Sequence, residues 1–354
     1  MSAIESFISC NAVQTDLTEA WAYDNLIGDA TPIVDTLLSP INREGFIQNN
    51  INFRPSGKKA VEVIYGQRTI ESDINDGGLV NCTSGSTIGE TSTTYEIGDT
   101  GGNFAFSYTL QDLQTRCQAD RFLIAKRIRS VMDAILAQAE TNGAIFLLAN
   151  AGNFASDVDN GQPAGTTTQK QVSTILANGQ IDYNAIESIA YEYQNNGFNG
   201  QPIVFGNEPW LKYYRALGAA CCGLTGVDAG TYFNQNSYLF AQARKIAANG
   251  GPNEAIVMAP RACQMITYNE FSSGGGWDVA TGTIIYGTLM HPDPRYANIM
   301  FDYSAELTCS GTTKTWTFRL ALNYDFIAMP INMYQTGDRL EGVNGILNFI
   351  INNP

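Results

Sequence analysis

Ile299-Met-Phe-Asp-Tyr-Ser-Ala-Glu-Leu-Thr-Cys309, then Ser310-Gly-Thr-Thr313, then Lys314-Thr-Trp-Thr-Phe-Arg-Leu-Ala-Leu-Asn-Tyr-Asp-Phe326 is the stretch that decides the architecture of this chain. In the first run Ile299, Phe301, Tyr303, Ala305, Leu307 and Cys309 alternate with Met300, Asp302, Ser304, Glu306 and Thr308. In the second, Trp316, Phe318, Leu320, Leu322, Tyr324 and Phe326 alternate with Thr315, Thr317, Arg319, Ala321, Asn323 and Asp325. A period of two gives each run one apolar and one polar face, so both read as half-buried strands joined by a turn into a ribbon. At about 3.3 Å per residue the strands would reach roughly 35 to 45 Å, against a usual strand of about five or six residues. Compact enzymes seldom need such a span; an elongated structural subunit does.

A second long element precedes the ribbon. Leu113, Cys117, Leu123 and Ile124, Ile128, Val131 and Met132, Ile135 and Ala139 recur at spacings of three and four, which draws one apolar stripe on a helix. Thr109-Leu-Gln-Asp112 resembles a capping box, making Thr109 the expected N-cap, and Asn142-Gly143 is the expected end. A helix so bounded has about 30 residues and is roughly 45 Å long, a match for the ribbon. It carries no sustained heptad, so it reads as a rod laid across the sheet, with Ile128, Val131 and Ile135 facing the strands.

The remaining segments are shorter. Residues 1 to 50 mix Ile33, Val34, Leu37 and Leu38 with Gly28, Pro32 and Pro40 without a long period, which suggests an extended arm. A strand over Lys58 to Tyr65 is expected to pair with a returning strand at Phe104, Phe106 and Tyr108. The Gly-, Ser- and Thr-rich stretch between them reads as a projecting β-arm, since so long a connection is unusual inside a compact domain. Residues 66 to 102 hold too little apolar area to offset their own ordering entropy and are expected to order only against neighbours.

The middle section alternates short helices and strands. Asp182 caps a helix bearing Ile186, Ile189, Ala190 and Tyr193, which Asn195-Asn196-Gly197 stops; Pro202 to Phe205 is a buried strand; Asn207 caps the helix with Pro209 in its first turn. Gly218 to Gly230, with Cys221 and Cys222, is expected as a loop. Ala255 to Ala259 and Gln264 to Tyr268 complete a small mixed domain, and Val343 to Ile351 is a last alternating strand.

The 354 residues, 44% of them hydrophobic, suffice for a sizeable core and suggest two domains by length. A formal net charge of −14 argues against a protein that binds nucleic acid by neutralising phosphates. The N-terminus Met1-Ser-Ala-Ile-Glu-Ser-Phe7 shows no secretory pattern, and no apolar stretch is long enough to span a membrane, so a soluble, non-secreted chain is expected. Without that secretory context, the glycosylation pattern Asn81-Cys82-Thr83 carries little meaning. Seven scattered cysteines, Cys10, Cys82, Cys117, Cys221, Cys222, Cys263 and Cys309, describe neither a disulfide framework nor a zinc site and read as small buried hydrophobes.

No constellation carries chemistry. His291 is the single histidine, which disfavours a histidine-based triad or a multi-histidine metal site; His291-Pro-Asp-Pro294 reads as a rigid turn into the ribbon. Ser56-Gly-Lys-Lys59 lacks the first glycine and the following hydroxyl of a phosphate loop, and Gly223 to Gly230 lacks the strand-to-helix context of a dinucleotide site. Asp73 to Gly78 overlaps the start of a calcium loop but has Ser84 where the bidentate glutamate belongs, and Asp157 to Gly161 has its glycine one position early. Arg116, Arg121, Lys126, Arg127 and Arg129 make the long helix locally basic, which reads as a solvated or inter-subunit face with acidic partners; a DNA-facing strip is the lesser reading. No catalytic, cofactor-binding or metal-binding residue is assigned, and no cofactor is expected.

This order of parts resembles the major capsid protein of tailed bacteriophages, the Hong Kong 97-type shell fold, over nearly the whole chain. Local stretches are similar too: Asn196-Gly-Phe-Asn-Gly-Gln-Pro-Ile-Val-Phe-Gly206, Ala259-Pro-Arg-Ala-Cys-Gln-Met-Ile-Thr-Tyr-Asn-Glu-Phe271 and Asp338-Arg-Leu-Glu-Gly-Val-Asn-Gly345. The resemblance implies an α+β fold with an N-terminal arm (1–50), an extended β-loop (51–108), a spine helix and the start of a peripheral domain (109–175), an axial domain (176–290), and peripheral strands with a C-terminal strand (291–354). In one departure from that pattern, no long helical scaffolding segment is expected before the arm, so assembly is expected to depend on a separate scaffold or on processing.

The implied function is a shell of hexamers and pentamers of this chain around double-stranded DNA, held without sequence-specific contacts. A scaffold, portal or decoration protein would be further partners; the implied location is the virion, assembled in the host cytoplasm, with no membrane partner. Lys58 and Lys59 lie at the base of the β-loop, so the lysine–asparagine cross-link of some relatives is not expected. An encapsulin-like compartment shell, a tail-tube or adhesin protein, and an α/β hydrolase are the alternatives; the hydrolase lacks a nucleophile placed with a base.

Overall fold

The computed structural model describes residues 10–23, 31–38, 60–66, 90–96, 101–109, 119–152, 154, 168–182, 184–198, 200–222, 239–270, 276–277, 284–296, 299–329 and 342–353. The ribbon is its backbone. Strands β11 (Met300–Ser310) and β12 (Thr313–Ala328) pair antiparallel, with Tyr303 opposite Leu320, Ala305 opposite Phe318 and Leu307 opposite Trp316. This register lays the two apolar faces side by side, as the alternation requires. Phe301, Tyr303, Phe318, Leu322 and Tyr324 lose all contact with solvent, whereas Cys309 near the tip is exposed. At the turn Ser310 pairs with Thr313, and Gly311 takes φ 60°, a left-handed conformation that favours glycine.

Sixteen residues of β12 offer more edge than one ordinary strand can cover, and two strands share it. β3 (Gly101–Thr109) pairs with residues 315–323 of β12, and β8 (Cys263–Tyr268) with residues 323–328. With β9 (Gly276–Trp277) and β10 (Ile284–Met290) beyond β11, the sheet runs β3-β12-β11-β10-β9. The returning strand expected at Phe104 to Tyr108 is therefore part of the ribbon sheet. The partner of β1 (Ala60–Gly66) is β2 (Glu90–Glu96), which lies inside the stretch 66–102 and is already paired within its own chain. Residues 67–89 and 97–100 lie outside the described residues.

Helix α3 (Ala119–Ala149) crosses this sheet and buries Ile128, Met132, Ile135, Leu136 and Ala139. The approach is close: a Cβ on Gly102 of β3 would stand 2.8 Å from Ile135 Cγ2. Both expected helix ends are corrected. Thr109 is the last residue of β3, opposite Thr315, and residues 110–118, including Leu113 and Cys117, lie outside the described residues. Asn142-Gly143 does not stop the helix. Gly143 is buried where Ile33 and Phe326 pack, and a Cβ there would lie 3.1 Å from Ile33 Cγ2, so it serves close approach and not termination. Asn142 Nδ2 donates to the Tyr324 hydroxyl at 2.8 Å, tying the same turn to the ribbon.

A second sheet runs β4 (Lys170–Val172), β13 (Ile346–Ile351), β7 (Glu254–Met258), β5 (Ile203–Gly206), β6 (Leu239–Gln242). The C-terminal strand sits inside this sheet between β4 and β7. β8, expected in the small mixed domain, belongs to the ribbon sheet instead. Helices α4 (Asn184–Asn195), α5 (Glu208–Cys222) and α6 (Arg244–Asn249) complete the region. α4 stops as expected: Gly197 has φ 75° and its N–H bonds the Gln194 carbonyl. Asn207 precedes α5, which runs on through Gly218 to Cys222, so the first part of the expected loop is helical, and residues 223–238 lie outside the described residues. The Gly152 N–H donates to the Ile346 carbonyl at 2.8 Å, which joins the end of α3 to the second sheet. One hydrophobic core runs through both sheets.

Candidate functional site

The N-terminal segment, expected as an extended arm, contains two helices packed on the body of its own chain. α1 (Cys10–Tyr23) buries Val13 and Leu17, and α2 (Pro32–Leu37) buries Ile33, Val34 and Leu37. Each stripe is two or three residues long, too short to stand out as a period; burial against α3 stabilises helices this short, which are marginal by themselves. Gln14 clips α1 to the sheet. Its side-chain oxygen accepts the Met290 N–H at 2.8 Å and its amide donates to the Met290 carbonyl at 3.1 Å, completing the edge of β10.

His291 to Tyr296 is the turn that receives α2. The Asp293 N–H donates to His291 Nδ1 at 3.1 Å, so in the neutral ring Nε2 carries the proton and donates to Asp133 Oδ1 of α3 at 3.1 Å. The ring is buried edge-on against Tyr296. Burial raises the Asp293 carboxyl, but the bonds from the Arg295 guanidinium and backbone N–H outweigh it and leave the group below its ordinary value. Arg295 also reaches Asp35 of α2 at 3.8 Å, and the Tyr296 hydroxyl bonds that of Thr31. Burial pushes the Tyr296 phenol up to about 12. The single histidine is thus more than a rigid turn: it ties the long helix to the entrance of the ribbon.

Glu140 closes the same junction from α3. Its Oε2 accepts the N–H groups of Ile33 at 3.0 Å and Val34 at 2.9 Å, and its Oε1 also accepts the Ile33 N–H at 3.1 Å. The carboxyl is buried, and desolvation pushes it up to about 7 against the two backbone bonds that lower it. No periodicity could have singled it out, because Glu140 lies on the buried face beside Ala139, where a charge is not expected. In the second sheet Lys170 and Glu192 form a buried pair at 3.4 Å, with Lys170 above the Phe154 ring.

The basic strip divides. Lys126 and Arg127 are exposed, Arg127 over the Phe104 ring, whereas Arg129 is buried beside Asp133 at 3.7 Å, an acidic neighbour within the same helix. Arg116 and the side chain of Arg121 lie outside the described residues, as do Ser56 to Lys59, Asp73 to Gly78, Asn81 to Ser84, Asp157 to Gly161 and Gly223 to Gly230. Cys263 is buried, which raises its thiol far above its ordinary range, as expected of a small buried hydrophobe; exposed Cys309 departs from that reading. Among the described residues no group of three or more His, Cys, Asp or Glu could hold a metal, and no helix is long and apolar enough to cross a membrane.

No protein-family model matches the chain, and no curated protein does. Solved structures do. A chain of the Cyanophage A-1(L) capsid asymmetric unit superimposes with a TM-score of 0.51 at 12% identity, covering 92% of this chain and 94% of that one. A chain of Mycobacterium phage Adephagia gives a TM-score of 0.47 at 10% identity, over 93% and 91% of the two chains. The chain therefore shares the fold of that cyanophage chain over most of its length.

Proposed function

We propose that this chain is the major capsid protein of a tailed bacteriophage, which self-assembles into the icosahedral shell around a double-stranded DNA genome. The observation that carries the reading is the likeness to the chain of the cyanophage capsid asymmetric unit, with coverage above nine-tenths of both chains. The plate of long helix on long ribbon supports it physically. A stiff, flat subunit presents large lateral surfaces, and many modest contacts summed over a closed lattice give a stable container.

Exposed apolar side chains are available for such contacts. Met290 and Met300 are cross-strand partners on β10 and β11, and Ile175 and Leu176 top a turn held by Leu176 and Gln180. In this reading the arm, β-loop, spine, axial and peripheral segments follow the bounds set out above, except that β3 and β8 join the ribbon sheet and β13 the second sheet, and hexamers and pentamers are the building units. A scaffold, portal or decoration protein joins them, and the particle forms in the host cytoplasm. The net charge of −14 suits a wall that does not adhere to packaged DNA. The role is structural and not catalytic.

Sedimentation and light scattering of the purified protein test the proposal. Particles of many copies are expected; a stable monomer under every salt and pH condition would sink it.

A further inference from the structure

The turn that follows β4 holds two apolar side chains out of the molecule. Residues 175–180 are all exposed, yet the turn is closed by its own bonds: the Leu176 N–H donates to the Gln180 carbonyl at 2.7 Å, the Gly179 N–H to the Leu176 carbonyl at 2.8 Å, and the Gln180 N–H to Asn178 Oδ1 at 3.0 Å. Its base is fastened as well. Thr174 gives its N–H and its hydroxyl to Asn353 Oδ1, each at 2.9 Å, and the Tyr213 hydroxyl of α5 donates to the Asp182 carbonyl at 2.7 Å. Ile175 and Leu176, each 41% exposed, are thus set in place before any partner arrives. Little freedom remains to be lost on binding, which is the property of a good interface anchor.

The same sheet ends on another exposed apolar residue. In the order β4-β13-β7-β5-β6 the turn continues the first strand, and Leu239, 42% exposed, begins the last. β4, β13, β5 and β6 all run in one direction, with β7 opposed, so the end of β4 and the start of β6 are diagonally opposite corners of the sheet. Beside Leu239 stands Phe240, half-buried with its ring 4.6 Å from that of Tyr214. Charge sets both corners apart. Residues 171–181 and 239–243 contain no ionisable side chain, in a chain whose formal net charge is −14. Copies that repel one another elsewhere can approach through these two corners without that penalty.

A contact between two different patches of one surface is heterologous, and repeated about an axis it closes a ring. We propose that the turn of one copy docks on the β6 corner of the next, Leu176 against Leu239 with Ile175 and Phe240 beside them, and that this contact joins the copies within a hexamer or pentamer. The inference rests on the shell reading and names the two surfaces that meet in its rings.

Disulfide trapping in assembled particles tests the contact, because a disulfide forms only where two Cα atoms come within about 7 Å. Leu176→Cys and Leu239→Cys are combined in one full-length chain, in a Cys309→Ser background that removes the exposed native thiol. After air oxidation, non-reducing denaturing gels should show covalent multimers rising to closed rings, well beyond those of either single variant. Particles whose double variant runs as monomer overturn the inference and leave the shell reading standing; a native chain that forms no particles overturns both. Should the cysteine pair itself block assembly, Leu176→Asp decides. It lies on an exposed turn and should fold, with the particle yield falling about 30-fold or more, as for loss of an interface anchor. A native yield of particles from Leu176→Asp overturns the proposal.

Discussion

Gly102→Ala probes the seat of the long helix on the ribbon. The added methyl group would stand 2.8 Å from Ile135 Cγ2 and 3.2 Å from both Ile135 Cγ1 and Gln138 Oε1. Carbon atoms rest about 3.5–4.0 Å apart, so the helix must retreat or Ile135 must turn by roughly 0.7 Å or more. Overpacking of this kind costs about 1–3 kcal/mol, and removing a glycine from a strand interior returns at most about 1 kcal/mol. A net loss of about 1–2 kcal/mol is expected. Ile135→Ala alone empties a site only 4% exposed, at a cost of about 2–5 kcal/mol. In that background the clashing carbons are gone, so adding Gly102→Ala should cost nothing further, a favourable coupling of about 1–2 kcal/mol. Urea denaturation followed by tryptophan fluorescence gives the four stabilities, with buried Trp316 on the same strand β12 as a reporter. Costs that add within about 0.5 kcal/mol would refute the placement of α3 on β3.

Ile128→Asp puts a charge at a fully buried position of α3 and should abolish soluble expression of folded protein, because such a charge costs several kcal/mol; a soluble, assembling variant contradicts the packing. His291→Leu leaves the Asp293 N–H and the Asp133 carboxylate without their partner, and a loss of about 1–3 kcal/mol in urea denaturation is expected. Gly311→Ala meets no atom within 4 Å but must adopt φ 60°, so its cost of about 1–2 kcal/mol is purely conformational. Gly311→Asn should recover part of that loss in the same assay.

Elements whose side chains repeat over many residues were legible in the sequence. The ribbon alternates through both strands, and Trp316, Phe318, Leu320 and Leu322 are buried as the period of two demands. Where tertiary contacts override local signals, the sequence misleads. Thr109 with Asp112 has the chemistry of a cap, yet Thr109 ends β3, since a long partner strand rewards pairing more than a cap rewards termination. Asn142-Gly143 has the chemistry of a helix end, yet the missing side chain of Gly143 admits Ile33 and Phe326. Asp302 occupies a polar position of the alternation but is buried, because its carboxylate accepts the Glu270 N–H at 2.8 Å. Strand partners joined across more than two hundred residues, such as β3 with β12, leave no local trace. Neither does Glu140, whose role exists only once α2 is folded against it.

Electron microscopy of the negatively stained, purified protein tests the central claim most directly. The account predicts closed, hollow, isometric particles of uniform diameter, with subunits grouped in rings. Fields of single subunits or open tubes under every salt and pH condition would contradict it.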